Sequence, residues 1–219
     1  MIKGAIFDVD GTILDSMKIW DEAGGRYLAA LGLKAEENLH KTLFSMTIEE
    51  GAEYMKDRYG IRKSTEEISK GLLDVVRDFY FYEAMPKAGA AEVLEFFKSK
   101  NLPMTVATSS DKEHIERAFE RLGIKDCFMR IFTCSELGAG KTEPLIFEKA
   151  AELMGTSAEN TYVLEDGLYA AETAKRAGFK TIGIYDDSSA DDWERLKSTV
   201  DFAVRDLREF NKIWEFISK

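Results

Sequence analysis

The sequence predicts an α/β fold: a Rossmann-like doubly wound parallel sheet with an all-α helical cap domain inserted into it. Three observations lead there. A short apolar run near the N-terminus ends in two aspartates. Residues 15–83, which follow, show helical periodicity and no convincing strand. From residue 84 onward, short apolar runs alternate with helical patterns, and that alternation means a parallel sheet covered by helices on both faces. The expected division is therefore an α/β core of residues 1–14 and 84–219 and an inserted helical domain, the cap, of residues 15–83.

The first strand is Lys3 to Phe7, KGAIF, a run apolar enough to be buried on both faces. Asp8-Val9-Asp10-Gly11-Thr12 follows. In an extended backbone alternate side chains point the same way, so Asp8 and Asp10 are placed to share one pocket. Two carboxylates that close repel each other, and either a divalent cation between them or a proton on one relieves the strain. Gly11 permits a sharp turn, and Thr12 offers a hydroxyl and backbone amides to an anion. By itself this stretch also describes an ordinary acidic turn.

Helical spacing then takes over. Trp20, Ala23, Tyr27, Leu28 and Leu31 share a face, and Gly32 closes the segment. Further helices are expected over Glu37–Leu43, Ile48–Tyr59 and Glu66–Tyr82, with the seam at Pro86-Lys87-Ala88-Gly89. Trp20, Tyr27 and Phe44 are candidates to line a specificity pocket, although aromatic residues at this spacing more often fill a core. Beyond the seam, a helix carries Val93, Leu94 and Phe97, and a strand, Met104 to Ala107, ends in Thr108-Ser109-Ser110. Asp111 opens the next helix, Arg130 to Cys134 reads as a strand, and Pro144 opens another helix. Thr161 to Leu164 is a strand ending in Glu165-Asp166, and Ala170–Ala177 is a helix capped by Gly178. Two more strands, Thr181–Ile184 and Phe202–Val204, precede a terminal amphipathic helix.

In folds of this kind ligands bind at the carboxyl ends of the strands. Each chemically informative cluster falls there: Asp8 and Asp10, Thr108 and Ser109, Lys141, and Glu165 with Asp166. Carboxylates, a hydroxyl pair and one lysine at a common edge suit a phosphate with a hard cation, and magnesium prefers such oxygen ligands. A helix start after Ser109-Ser110-Asp111 presents free amides to phosphate oxygens. Taken one by one, Thr108-Ser109-Ser110-Asp111 is a helix cap, Glu165-Asp166-Gly167 a turn and Lys141 a solvated lysine; their joint placement carries the functional reading.

Composition excludes other classes. The chain of 219 residues has a formal charge of −10, which argues against nucleic acid or an anionic membrane surface as partner. It shows no secretory signal and no apolar run of about twenty residues. Its two cysteines, Cys127 and Cys134, are expected to be reduced thiols of a cytoplasmic protein. His40 and His114 have no ligand spacing. A monomer acting on a small phosphorylated substrate is expected.

The ordered set Asp8-x-Asp10-Gly11-Thr12, Ala107-Thr108-Ser109, Gly140-Lys141 and Leu164-Glu165-Asp166 resembles the haloacid dehalogenase superfamily, in its group with an α-helical cap. That group includes β-phosphoglucomutase-like proteins and sugar-phosphate phosphatases. The resemblance spans the chain. It implies that Asp8 is the nucleophile, Asp10 the general acid and base, and Thr108 and Ser109 phosphate ligands, with Lys141 balancing charge. It further implies magnesium held by Asp8, the Asp10 carbonyl and Asp166, with Glu165 assisting.

Two features depart from the family pattern. Gly140-Lys141-Thr142-Glu143-Pro144 lacks the first proline of the usual Gly-Lys-Pro-x-Pro. Gly167 and Ala170 replace a serine and a glycine, so a hydroxyl near the metal ligands is lost. The implied function is a magnesium-dependent phosphatase working through an aspartyl phosphate. The alternative is a mutase, but Trp20 stands where those enzymes carry a histidine, and the segment Leu43–Ile48 lacks their Lys and Arg. Gly138–Thr142 does not complete a nucleotide P-loop, since Ser135 stands where its first glycine belongs. A phospho-ligand sensor is supported only by Gly167.

Overall fold

A computed structural model of the chain describes residues 3–43 and 46–218. Phe44 and Ser45 lie outside the described residues. Two compact units are present, one of residues 1–15 and 84–219 and one of residues 16–83.

In chain order, β1 (Gly4–Phe7) and β2 (Leu14–Asp15) come first. The insert contributes α1 (Lys18–Ala30), α2 (Leu39–Leu43), α3 (Ile48–Tyr59) and α4 (Thr65–Asp78). Thr47 with Glu50 and Ser64 with Glu67 form reciprocal capping boxes that satisfy the first amides of α3 and α4. The insert has its own core of Leu28, Leu39, Ala52, Met55, Ile68 and Leu72, and Tyr27 belongs to that core. Trp20 is exposed. Two expectations here need correcting. The helix expected over Glu37–Leu43 shortens to Leu39–Leu43. The helix expected to reach Tyr82 ends at Asp78 and widens into a π-helical turn over Phe79–Glu83. The wider turn lets the adjacent Phe79 and Tyr80 both face inward, edge to face with centroids 5.7 Å apart.

The chain returns to the first unit at β3 (Met85–Pro86), which pairs antiparallel with β2. This two-residue ladder is too short for periodicity to announce it. There follow α5 (Ala90–Ser99), β4 (Met104–Thr108), α6 (Lys112–Leu122), β5 (Ile131–Thr133), α7 (Cys134–Leu137) and α8 (Leu145–Met154). The last elements are β6 (Thr161–Glu165), α9 (Leu168–Arg176), β7 (Lys180–Ile184), α10 (Trp193–Thr199), β8 (Phe202–Val204) and α11 (Phe210–Ile217). β5 is shorter than the expected Arg130–Cys134 because the Thr133 side chain accepts the Glu136 amide and opens α7.

Six strands form one parallel sheet in the order β5-β4-β1-β6-β7-β8. β1 is central, and all four of its residues are buried, as a strand covered on both faces requires. One core layer joins Ile6, Ala107, Phe147, Ala150, Val163 and Ala174, so α8 and α9 press on the sheet directly behind the strand ends that carry the polar clusters. The strand order reverses at β1, which makes the carboxyl ends of β1, β4 and β6 the crevice of this sheet.

Gly89 begins α5 with φ +86°, and a Cβ there would stand 2.2 Å from the Arg208 amide nitrogen. Gly123 has φ +70° and open space around it. Gly123→Ala should therefore cost only the left-handed backbone penalty, about 1–2 kcal/mol. Gly89→Ala should cost at least about 2 kcal/mol more from the backbone clash. Urea midpoints at unchanged slope measure both; equal losses would show that the Arg208 contact does not constrain the position.

Candidate active site

The residues expected at the sheet edge gather within the first unit. Asp8 follows β1, Lys141 lies between α7 and α8, and Glu165 and Asp166 lie at the end of β6. All four side chains are buried. The Lys141 ammonium donates to Asp8 Oδ1 and, at 2.7 Å, to Glu165 Oε1. Glu165 Oε2 accepts the Gly167 amide at 2.9 Å, so both of its oxygens are held. Burial pushes the Asp8 carboxyl up to about 7, against the lowering pull of Lys141 and with help from Glu165 and Asp10. Burial acts to lower the Lys141 ammonium, but Asp8 and Glu165 outweigh it and hold the group above its ordinary value. Burial, then the charges of Asp8, Glu165 and Asp186, raise Asp166 well above the usual carboxylate range.

The donor set fits a divalent cation. Asp8, Glu165 and Asp166 each offer an oxygen, and these oxygens lie within 4.8 Å of one another. With all three carboxylates ionised, one ammonium would leave an excess of two negative charges, and Asp8 Oδ2 is buried with no hydrogen-bond partner among the described residues. An oxygen-only set of this charge suits magnesium. The oxygens left for it are on Asp8 and Asp166. Among the described residues the contacts to the Asp166 carboxylate are long, from the Thr12 hydroxyl at 3.4 Å and the Ser189 hydroxyl at 3.5 Å. These two hydroxyls stand beside the carboxylate in the absence of a serine at position 167.

Asp10 behaves differently from Asp8. It is half-buried, its carboxylate is not a member of the buried cluster, and Ser110 Oγ donates to its Oδ2 at 2.6 Å. The strand assigned as β1 ends at Phe7, and the Asp8 amide still donates to the Leu164 carbonyl of β6 at 3.0 Å. Asp10 is nonetheless close enough to raise the Asp8 carboxyl.

Thr108, at the end of β4, is fully buried, and its oxygen accepts the Ser110 amide at 3.0 Å. That uses an acceptor and leaves the hydroxyl hydrogen to donate to an anion. Ser109 is exposed, 3.5 Å from Cys134 Sγ. The expected row of free amides is partly consumed: Ser110 donates to Thr108, and Glu113 donates to the Asp111 carboxylate, which caps α6. Thr12 offers no amide either, because its N–H is spent on the Val9 carbonyl and the residue is fully buried. In the loop that has Thr142 in place of the first proline of the family pattern, the Glu143 amide closes a turn onto the Gly140 carbonyl at 3.0 Å, and Pro144 leads into α8. Sequence reasoning did not find Lys87, Asp186 and Ser189 near this edge. They lie in the seam and beyond β7, where no motif marks them.

Residues 2–178 match the family model described as haloacid dehalogenase-like hydrolase. The phosphorylated carbohydrates phosphatase of Thermotoga maritima is 26% identical over 181 residues, covering 83% of this chain and 84% of that protein. The fructose-1-phosphate phosphatase YqaB of Escherichia coli is 26% identical over 189 residues, covering 83% of this chain and 95% of that one. A Thermotoga maritima crystal structure carrying the provisional name β-phosphoglucomutase superposes with a TM-score of 0.85 at 24% identity, covering 98% and 99% of the two chains, a likeness of fold.

A raised carboxyl makes the metal-free protein less stable as pH rises. The folded state keeps the Asp166 proton to higher pH than the unfolded chain does, so the stabilisation is complete below about pH 4 and is lost on passing upward through the folded value. In chelator at pH 8, Asp166→Asn should therefore melt higher than the wild type, with the difference closing as pH falls toward 4. A variant that melts lower at pH 8 would show that Asp166 is not under charge strain.

Proposed function

The chain belongs to the haloacid dehalogenase-like hydrolases, and from that premise we propose that it is a magnesium-dependent phosphatase acting on a small phosphomonoester, a sugar phosphate, through phosphorylated Asp8. What supports this reading is one observation above the others: Asp8 is buried with one oxygen held by Lys141 and the other without a partner. The two oxygens can thus take separate parts. Oδ2 would hold the cation together with Asp166, and the Asp10 carbonyl, as the family resemblance implies, would complete the protein's share with Glu165 assisting. Bound there, magnesium would offset the charge of two anions brought together.

The remaining work falls to the chain. Oδ1 of Asp8 attacks phosphorus in line with the leaving oxygen. Lys141 stays charged beside it and shields the nucleophile from the phosphate oxygens. Thr108 donates its hydroxyl hydrogen to one of those oxygens, and Ser109 lines the same strand end. Asp10, oriented by Ser110, protonates the leaving alkoxide and then takes a proton from the water that opens the acyl phosphate. Residues 15–83 are assigned the part of a cap that supplies substrate contacts. The curated relatives named for phosphorylated carbohydrates and for fructose 1-phosphate support the choice of a sugar phosphate.

Phosphate release to water from a panel of sugar phosphates, with and without magnesium, tests the reaction class. Release that survives excess chelator would contradict the metal part, and phosphate that stays on the sugar as an isomer would contradict hydrolysis. The roles of the aspartates separate in rapid mixing with p-nitrophenyl phosphate, whose leaving group needs no acid. Asp8→Asn should give no burst and only background turnover. Asp10→Asn should give a burst of nitrophenol and then a steady rate lower by roughly two to four orders of magnitude. A burst from Asp8→Asn and none from Asp10→Asn would reverse the assignment.

A further inference from the structure

Two chain segments flank the Asp166 carboxylate, and one ammonium joins them. On one side is the turn after β1. Gly11 has φ +81° and lies so close that a Cβ on it would stand 2.6 Å from Asp166 Oδ2, and Thr12 directs its hydroxyl at Oδ1. On the other side is the turn after β7. Asp186 accepts the Ser188 amide at 3.0 Å and the Ser188 hydroxyl at 2.6 Å. The Ser189 hydroxyl lies 3.4 Å from the Asp186 carbonyl and 3.5 Å from Asp166 Oδ2.

Lys87, the residue after β3, reaches both segments. Its Nζ donates to the Gly11 carbonyl at 2.7 Å, the Tyr185 carbonyl at 2.6 Å and Asp186 Oδ2 at 2.7 Å. An ammonium has three protons, so these bonds use its whole donor capacity. The neighbouring peptide is fixed at both ends, because the Thr12 amide on the same peptide unit donates to the Val9 carbonyl. The Lys87 side chain is only 17% exposed, which shields its pairing with Asp186 from solvent screening.

We propose that Lys87 is a positioning residue for the metal site: by clamping Gly11 to the turn after β7, it sets the width of the pocket that holds the Asp166 carboxylate. The proposal rests on the reading of Asp8 and Asp166 as metal ligands. It makes a prediction of sign that a charge effect cannot imitate. As a bare positive charge near the site, Lys87 opposes cation binding, and its removal would tighten the metal. As a clamp, it keeps a ligand in place, and its removal loosens the metal; partners that orient ligands are typically worth ten- to a hundredfold in affinity.

The test is manganese binding to the metal-free protein, followed by calorimetry and by the paramagnetic signal of the free ion, with no substrate present. Lys87→Met keeps most of the apolar stem and removes all three donors, and it should bind manganese at least about tenfold more weakly than the wild type. Unchanged or tighter binding overturns the proposal. If Lys87→Met fails to fold by circular dichroism, Lys87→Gln is measured in its place with the same two outcomes, since it is neutral and too short to make all three bonds. A wild type that binds no manganese would overturn the metal reading itself, and the clamp with it. That result is distinct from a wild type that binds and variants that bind equally well.

Discussion

The buried Lys141 ammonium, held between Asp8 and Glu165, is the constraint on which the rest of the first unit depends. Removing an ion from water costs several kcal/mol, and an ion pair offsets this only where the geometry is good and the remaining lone pairs are satisfied. Glu165 meets that condition through Lys141 and the Gly167 amide. Asp8 does not, because its second oxygen has no partner among the described residues. Nor does Asp166, whose hydroxyl contacts are long. The cluster therefore carries unfavourable charge in the metal-free protein wherever its carboxylates are ionised, and in the proposed reading that charge is what a divalent cation would offset. Stability and function pull against each other here, as they commonly do where carboxylates are gathered for chemistry.

The sheet makes this gathering possible. β1 lies in the middle, and in register β4 and β6 run only a residue or two beyond its end, so residues far apart in sequence emerge side by side. Only small groups allow the approach to close. Gly11 meets the Asp166 carboxylate where any side chain would strike it. At Gly167 a Cβ would stand 3.3 Å from both Glu165 Oε2 and the Tyr169 ring, so a serine would crowd a position where glycine fits. The departure from the family pattern at Gly167 thus accompanies the placement of Tyr169, while the Thr12 and Ser189 hydroxyls stand on other sides of Asp166.

The two N-terminal aspartates differ in how firmly they are held. Asp8 is pinned in the interior by the lysine, which suits the part of a nucleophile that meets phosphorus along one line in the proposed reaction. Asp10 is half-buried and oriented by Ser110, a residue on a different loop. In the proposed reaction it serves two partners in turn, a leaving alkoxide and a water, and the short hydrogen bond from Ser110 helps to orient it for both.

Much of this was readable in the amino-acid order. The run KGAIF, the strand–helix alternation and the placement of Asp8, Thr108, Lys141 and Asp166 beyond strands are local patterns, and local patterns suffice to predict a parallel sheet with its polar residues at one edge. The π-helical turn at Phe79–Glu83 and the short ladder of β2 with β3 escaped that reading, because each depends on which side chains find an interior or a partner strand. The same holds at the site. That Thr12 and the α6 entry spend their amides on the chain itself follows from turn geometry, which spacing does not encode. In sequence Lys87 marks only the seam after the helical insert. Only the folded backbone brings the Gly11 and Tyr185 carbonyls and the Asp186 carboxylate within reach of one ammonium, because these groups lie 76, 98 and 99 residues away along the chain. Composition and periodicity determined the kind of sheet and the edge where chemistry gathers. Tertiary structure decided which charges are paired, which oxygen is left without a partner and which cation holds the turns together, since those outcomes depend on distances between residues remote in sequence.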